Sequence, residues 1–299
     1  MIKAIINGSI NITGLSHEQV LNIKNALTVS NPKYEAAKQY SKHGFISIPP
    51  RLCYCSNINI NNKTGIQVPI GFDTSSLGIH FNHIDDMRVQ NQIIYPKFTL
   101  TLRPNQQLAV ENYIRLNKNC NTSYKNTPSG LIQLLTGQGK SITAIYLAYM
   151  LSQRTLVIVH KKDLLTGWKK DIDICFDKEI ETGIIQGKTR RISEHITLAM
   201  VQTLNKWSEK DIESISNYFG LVVTDEVHHC PSNSYALVQK FNSRYRLGLS
   251  ATPERSDGLT DVMHFYFGDF AYKHKHISDE QDVLPVEVIY KYNSFKYSP

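Results

Sequence analysis

Residues 134–141 read Leu-Leu-Thr-Gly-Gln-Gly-Lys-Ser, and several residue types in this stretch could do chemistry together. Gly137 and Gly139 let a backbone curl until several N–H groups converge on one phosphate, and Lys140 adds a cation long enough to reach the outer phosphates of a nucleotide. Ser141 offers a hydroxyl oxygen to a magnesium ion. The candidate loop runs from Leu134 and Leu135 through Thr136, Gly137, Gln138 and Gly139 to Lys140 and Ser141, and Leu134 stands where the strict phosphate-loop pattern has glycine. Asp225-Glu-Val-His228 is a second candidate. Two adjacent carboxylates after an apolar run can divide two tasks, Asp225 holding a magnesium ion and Glu226 orienting an attacking water. Ser250-Ala251-Thr252 follows a third apolar run and gains meaning only from standing after the other two.

Those side chains can act together only if the chain brings them to one place. Leu131 to Leu135 reads as a buried strand and Ile142 to Met150 has helical spacing. The glycine-containing loop then lies between strand and helix, where the helix N-terminus adds partial positive charge. Further apolar runs at 155–160, 196–200, 221–224 and 246–250 alternate with helical stretches such as 164–176. Such alternation predicts an α/β domain with a mostly parallel sheet, helices on both faces and ligands at the carboxyl ends of the strands. All three candidate motifs fall at strand ends.

Before Tyr95 the character differs. Residues 2–6 and 9–13 alternate and are joined by Asn7-Gly8, which predicts a hairpin with a two-residue turn. Ser16 and Gln19 form a capping box that opens a helix with Val20, Ile23, Ala26 and Leu27 on one face. A second helix is predicted from Pro32 to about Gly44. Strands are expected over 45–50 and 65–71, the latter held to a sheet edge by Pro69. The chain therefore divides near Tyr95, with a small α+β module, residues 1–95, ahead of the alternating α/β domain.

With 299 residues, 41% of them hydrophobic, the chain can bury a core large enough for both units. A formal charge of +7 suits a polyanionic partner. No apolar run is long enough to span a membrane and no signal-peptide pattern is present, so the expected location is cytoplasmic. The five cysteines, Cys53, Cys55, Cys120, Cys175 and Cys230, are odd in number and form no CxxC pair, which disfavours a disulfide framework and a zinc site.

Taken together, Thr-Gly-Gln-Gly-Lys-Ser, Asp-Glu-Val-His and Ser-Ala-Thr resemble motifs I, II and III of superfamily 2 helicases, whose P-loop domain has the RecA-like fold. Leu102-Arg-Pro-Asn-Gln106 resembles the upstream element of that superfamily, and Thr252-Pro-Glu-Arg-Ser-Asp-Gly258 and Leu284-Pro-Val-Glu-Val288 resemble its XPB-like and UvsW-like branch. The resemblance is strong over most of 96–290 and weak over 1–95; it implies a first RecA-like domain over 96–290 with 291–299 as a linker and, since the branch includes phage enzymes, the host cytoplasm as the location if the chain is from a phage. It implies ATP and Mg²⁺ as ligands, DNA in duplex, forked or branched form as partner, and a DNA-binding role for the small module.

Residue by residue, the resemblance implies adenine contacts for Arg103 and Gln106, and a link from the nucleotide to Ser250, Ala251 and Thr252 through His228. It implies DNA-facing positions at Lys161, Lys162, Lys188, Gln202, Thr203 and Arg255. His160 and Gly167 depart from the family's proline and glutamine, and Trp168 reads as core. No second RecA-like domain or arginine-bearing motif is found in the sequence, so a longer chain or a partner is expected to supply them, and this chain alone to hydrolyse ATP poorly. An RNA-directed ATPase of the same superfamily and a non-catalytic nucleotide-dependent DNA-binding subunit are the alternatives.

Overall fold

A computed structural model of the protein describes residues 1–40, 47–118, 129–229, 236–252, 254 and 258–274. The first sheet has five strands in the order β5-β6-β2-β1-β7. They are β1 (Lys3–Ile6), β2 (Ile10–Thr13), β5 (Ser56–Ile60), β6 (Lys63–Val68) and β7 (His83–Asp86). Helix α1 (His17–Ala26) starts at the Ser16–Gln19 capping box and buries Ile23. It is followed by β3 (Thr28–Ser30), α2 (Pro32–Tyr40) and β4 (Arg51–Cys53), with β3 and β4 forming a two-stranded ribbon. Ile6, Ile10, Ile12, Ile66 and Val68 pack with Ile23 and Leu27 into one apolar cluster.

Four expectations for this region are corrected. Ile6 pairs with Ile10, so the hairpin loop has three residues, Asn7, Gly8 and Ser9. The Asn7 side chain accepts the Ser9 N–H at 3.0 Å, and Gly8 serves a close approach, because a Cβ there would lie 1.6 Å from the Gln239 carbonyl oxygen. Strand β6 ends at Val68, before Pro69, and pairs on both sides with β5 and β2; the proline removes no ladder donor, so the strand is internal. The strand expected at 45–50 lies instead at Arg51–Cys53, after the two prolines, while residues 45 and 46 and the Gly44 helix stop lie outside the described residues. Ala26 is exposed, leaving Ile23 and Leu27 to hold the helix down.

The second sheet has eight strands in the order β11-β10-β12-β9-β13-β14-β8-β15. Its members are β8 (Ser129–Gln133), β9 (Thr155–Val159), β10 (Gly183–Gln186), β11 (Thr189–Arg191), β12 (Ile196–Met200), β13 (Leu221–Thr224), β14 (Tyr245–Ser250) and β15 (Phe270–Lys273). Every pairing is parallel except β10 with β11. Strands β9 and β13 are buried at every residue, which explains their unbroken Val, Ile and Leu runs. Helices α3 (Pro104–Lys118), α4 (Lys140–Leu151) and α5 (Lys162–Cys175) cover one face. The other face carries α6 (Val201–Leu204), α7 (Glu209–Ser216) and α8 (Thr260–Phe267).

The two sheets are joined by packing as well as by chain. Tyr54 and Phe72 lie against Phe265 of α8, each with ring centroids 6.1 Å apart, and the Gly71 N–H donates to the Phe265 carbonyl at 2.9 Å. Asp86 bonds Arg88 at 2.6 Å and also pairs with Arg244, just before β14. Burial would raise the Asp86 carboxyl, but Arg88 and Arg244 hold it below its ordinary value. A depressed folded value means stability that is present above the unfolded carboxylate range and lost as pH falls through the folded one. Asp86→Asn should therefore lower the melting temperature at neutral pH and converge on wild type in acid. A deficit that is the same at every pH would show that the charge is not what holds this joint.

Candidate active site

The loop after β8 curls tightly because its glycines take backbone angles that side chains resist. Gly137 and Gly139 have φ of 81° and 76°, and Gly139 caps the N-terminus of α4. A Cβ on Gly139 would also sit 2.3 Å from the Gln106 amide nitrogen. Gln106 is 3% exposed; its Nε2 donates to the carbonyls of Gln138 at 3.2 Å and Gly139 at 3.1 Å, and its Oε1 accepts the Arg103 N–H at 2.8 Å. Arg103 Nη1 reaches the Gly137 carbonyl at 3.3 Å. The upstream element therefore braces the loop that it adjoins.

Leu134, in the place of the pattern's first glycine, continues the strand. Its N–H donates to the Ser250 carbonyl at 3.2 Å and its side chain is fully buried in the core, so among the candidate nucleotide contacts it has only backbone to offer. Gln138 closes the loop, its Oε1 accepting the Leu135 N–H at 2.9 Å. Thr136 is exposed at the loop's tip.

Across a cleft of about 520 Å³ lie the acidic pair. Arg103, Gln106, Gly137, Gly139, Lys140 and Ser141 line it together with Asp225 and Glu226. Lys140 Nζ is 3.4 Å from Glu226 Oε1, and His228 Nδ1 is 3.4 Å from Glu226 Oε2. The same His228 nitrogen lies 2.9 Å from Ser250 Oγ, which accepts the Thr252 N–H at 3.2 Å and donates to the Thr252 carbonyl. A continuous set of polar contacts thus runs from the phosphate loop to the end of β14. Ala251 is half-buried beside it.

Asp225 is 5% exposed. Burial pushes its carboxyl above the usual range and the Glu226 charge adds to that, while Trp168 and Lys140 pull it back. A hydroxyl and a carboxylate are hard oxygen donors of the kind Mg²⁺ prefers, and both line a cleft with room for water ligands, so Ser141 and Asp225 fit that ion. Glu226 has φ of 49°, a left-handed backbone fixed in part by its N–H donating to Asp225 Oδ1 at 2.9 Å.

Sequence reasoning missed two groups. Trp168 is core as expected, 3% exposed, yet its Nε1–H donates to Asp225 Oδ2 at 2.8 Å. Asp171 accepts the Ser141 hydroxyl. Their spacing of three on one helix, following a loop at the sheet's carboxyl edge, was the available signal.

The DNA-facing candidates gather at the other half of the same edge. Lys161 and Lys162 are exposed after β9, and Gln202 Nε2 donates to the His160 carbonyl at 2.8 Å. Thr203 Oγ1 accepts the Gly187 N–H at 3.0 Å, which brings the exposed Lys188 beside α6. Arg255 and the segments 275–299 lie outside the described residues. Among the described residues no helix is long and apolar enough to cross a membrane, and no group of three or more His, Cys, Asp or Glu could hold a metal.

Comparisons with known proteins bear on the family and the fold. The family model described as "Type III restriction enzyme, res subunit" matches residues 99–255, more than half of the chain. A putative ATP-dependent RNA helicase of Acanthamoeba polyphaga mimivirus is 32% identical over 265 residues, 85% of this chain and 45% of the relative. A DNA 3'-5' translocase of Sulfurisphaera tokodaii is 35% identical over 145 residues, 48% of this chain and 31% of the relative. The chain thus spans less than half the length of these curated relatives. Among solved structures, the UvsW helicase from bacteriophage T4 matches with a TM-score of 0.60 and 16% identity, covering 90% of this chain and 98% of that one, a likeness of fold.

Proposed function

Since the chain belongs to the type III restriction enzyme res subunit family, within the superfamily 2 helicases, we propose that it is the ATP-binding motor domain, with a small accessory module, of an ATP-dependent helicase or translocase acting on duplex or branched DNA. The observation that carries this reading is the contact series from Lys140 through Glu226 and His228 to Ser250. It gives the γ-phosphate end of the cleft a physical connection to the strand end beside which a second motor domain would close. In this reading the loop amides and Lys140 hold the phosphates, Ser141 and Asp225 hold Mg²⁺, and Glu226 orients the attacking water. Mg²⁺, when bound, would neutralise charge on the phosphate oxygens. In the same reading Arg103 and Gln106, which line the cleft, would take the adenine side, and Lys161, Lys162, Lys188, Gln202 and Thr203 would face DNA.

Residues 1–95 are the unit proposed to recognise branched DNA. Asn-rich loops and only a mild positive charge suit shape reading better than broad electrostatic capture. The test is ATP hydrolysis by the chain, alone and with a second motor domain, in the presence of single-stranded, duplex, forked and four-way DNA and of RNA. Forked and duplex DNA should stimulate most. Stimulation by RNA of equal or greater size would favour the RNA-directed reading that the mimivirus relative's name suggests. A chain beginning near Tyr95 should lose its preference for forks while nucleotide binding survives; an unchanged preference would mean that the motor itself reads the junction.

The coupling role of Ser250 makes a separate prediction. Its hydroxyl is fully buried and serves His228 and Thr252 together. Ser250→Ala should leave ATP affinity within about twofold and lower DNA-stimulated turnover several-fold, since it removes contacts on the DNA side of His228. Comparable losses in basal and stimulated rates would place Ser250 in the chemistry and not in coupling.

A further inference from the structure

Helix α5 presents Trp168 and Asp171 one turn apart, and each ends on a different candidate magnesium ligand. The Trp168 indole N–H donates to Asp225 Oδ2 at 2.8 Å, and Ser141 Oγ donates to Asp171 Oδ2. Both residues line the cleft, yet neither belongs to the phosphate loop or the acidic motif.

The two contacts solve two orientation problems. A carboxylate's terminal torsion is soft, so an aspartate can present either oxygen to a cation or turn away. Asp225 cannot turn freely: Oδ1 takes the Glu226 backbone N–H at 2.9 Å while Oδ2 takes the indole. Each oxygen still keeps lone-pair capacity. The Ser141 hydroxyl has one hydrogen and two lone pairs, and to bind a cation it must aim lone pairs at the ion and the hydrogen elsewhere. Asp171 takes that hydrogen. Its negative charge also favours a cation nearby, as outer carboxylates do around other metal ligands.

We infer that Trp168 and Asp171 are positioning residues that hold Asp225 and Ser141 in the orientation that receives a divalent cation together with nucleotide. The inference rests on the nucleotide reading of the cleft and adds to it the helix that sets the metal's ligands. Helix α5 begins at Lys162, directly after the loop whose His160 carbonyl is bonded by Gln202. One rigid element therefore extends from the candidate DNA edge to both ligands.

The test uses the intact chain and a fluorescent ATP analogue, with affinity measured in Mg²⁺ and again in EDTA, beside thermal melting of every variant. Asp171→Ala and Trp168→Phe should each reduce the affinity gained from Mg²⁺ by about 10-fold or more, the usual cost of an outer-shell partner, and leave affinity in EDTA unchanged. Asp171→Asn, which keeps an acceptor for the Ser141 hydrogen, should recover part of the loss. The chain has two tryptophans, so Trp207→Phe isolates the Trp168 emission, which should shift when Mg²⁺ is added to the nucleotide-bound protein. A full Mg²⁺ gain in the variants, or equal losses with and without the metal, overturns the positioning role. Wild type that binds no nucleotide in either condition overturns the nucleotide reading itself, and the positioning role with it.

Discussion

Replacing Lys140 with alanine should weaken Mg-ATP binding by about 100-fold or more, the scale seen when one preorganised donor to a charged group is removed from a sheltered site. Lys140 opens α4, and its side chain is 11% exposed, so its ammonium is aimed into the cleft and away from bulk water. It stands 3.4 Å from Glu226 Oε1. A bound γ-phosphate would compete with Glu226 for this cation, releasing the carboxylate to orient water. Alanine removes the phosphate contact and leaves the fold's core untouched, because the residue's burial comes from the cleft walls and not from either apolar cluster. Titration calorimetry and thermal melting on the same samples decide the point. Affinity equal to wild type would remove the phosphate-loop assignment; a collapsed melting transition would show that the lysine supports the structure as well.

What the sequence disclosed follows from how strongly each feature depends on local pattern. Strands β9 and β13 are apolar at all but one position each because helices cover both sheet faces, and such runs stand out in sequence. The three motifs were legible because loop chemistry at a strand's carboxyl end needs particular residue types. Strand β11 was not: Thr189, Arg190 and Arg191 are all exposed, pair with β10 as a hairpin, and carry no alternation. Strand β15 is a short edge that reads as loop until its pairing with β8 is known. Helix α7 had a readable signal that was overlooked, the Ser208–Asp211 capping box. Pro69 misled because a proline one residue past a strand and a proline within an edge strand look alike in sequence.

The site divides along the same line. Lys140, Asp225 and Glu226 were found from type and spacing, whereas Gln106 as a brace for the loop required knowing that α3 lies against it. Asp171 sits among lysines on a mostly exposed helix and reads as an ordinary solvated charge. Trp168 reads as core, which is correct and incomplete: burial of an indole leaves its N–H needing a partner, and here the partner is Asp225.

Glu226→Gln should keep Mg-ATP bound and lower turnover by about 10²–10⁴-fold, the range lost when a positioned acid–base group is removed. Glutamine has the shape of glutamate, so the left-handed backbone at φ 49° and the N–H donated to Asp225 should persist. Its amide can still accept from Lys140, but it cannot take a proton from water or attract one electrostatically. Affinity for ATP should hold or rise slightly, because a neutral side chain no longer competes with phosphate for the Lys140 charge. Asp225→Asn should behave differently, losing the part of the affinity that depends on Mg²⁺, since that residue is the proposed metal ligand. The two variants, compared with wild type for nucleotide affinity with and without Mg²⁺ and for single-turnover hydrolysis, separate the acids' roles. Near-normal turnover in Glu226→Gln would reassign the water-orienting role. The candidate would then be His228, whose Nδ1 lies 3.4 Å from Glu226 Oε2 and 2.9 Å from Ser250 Oγ.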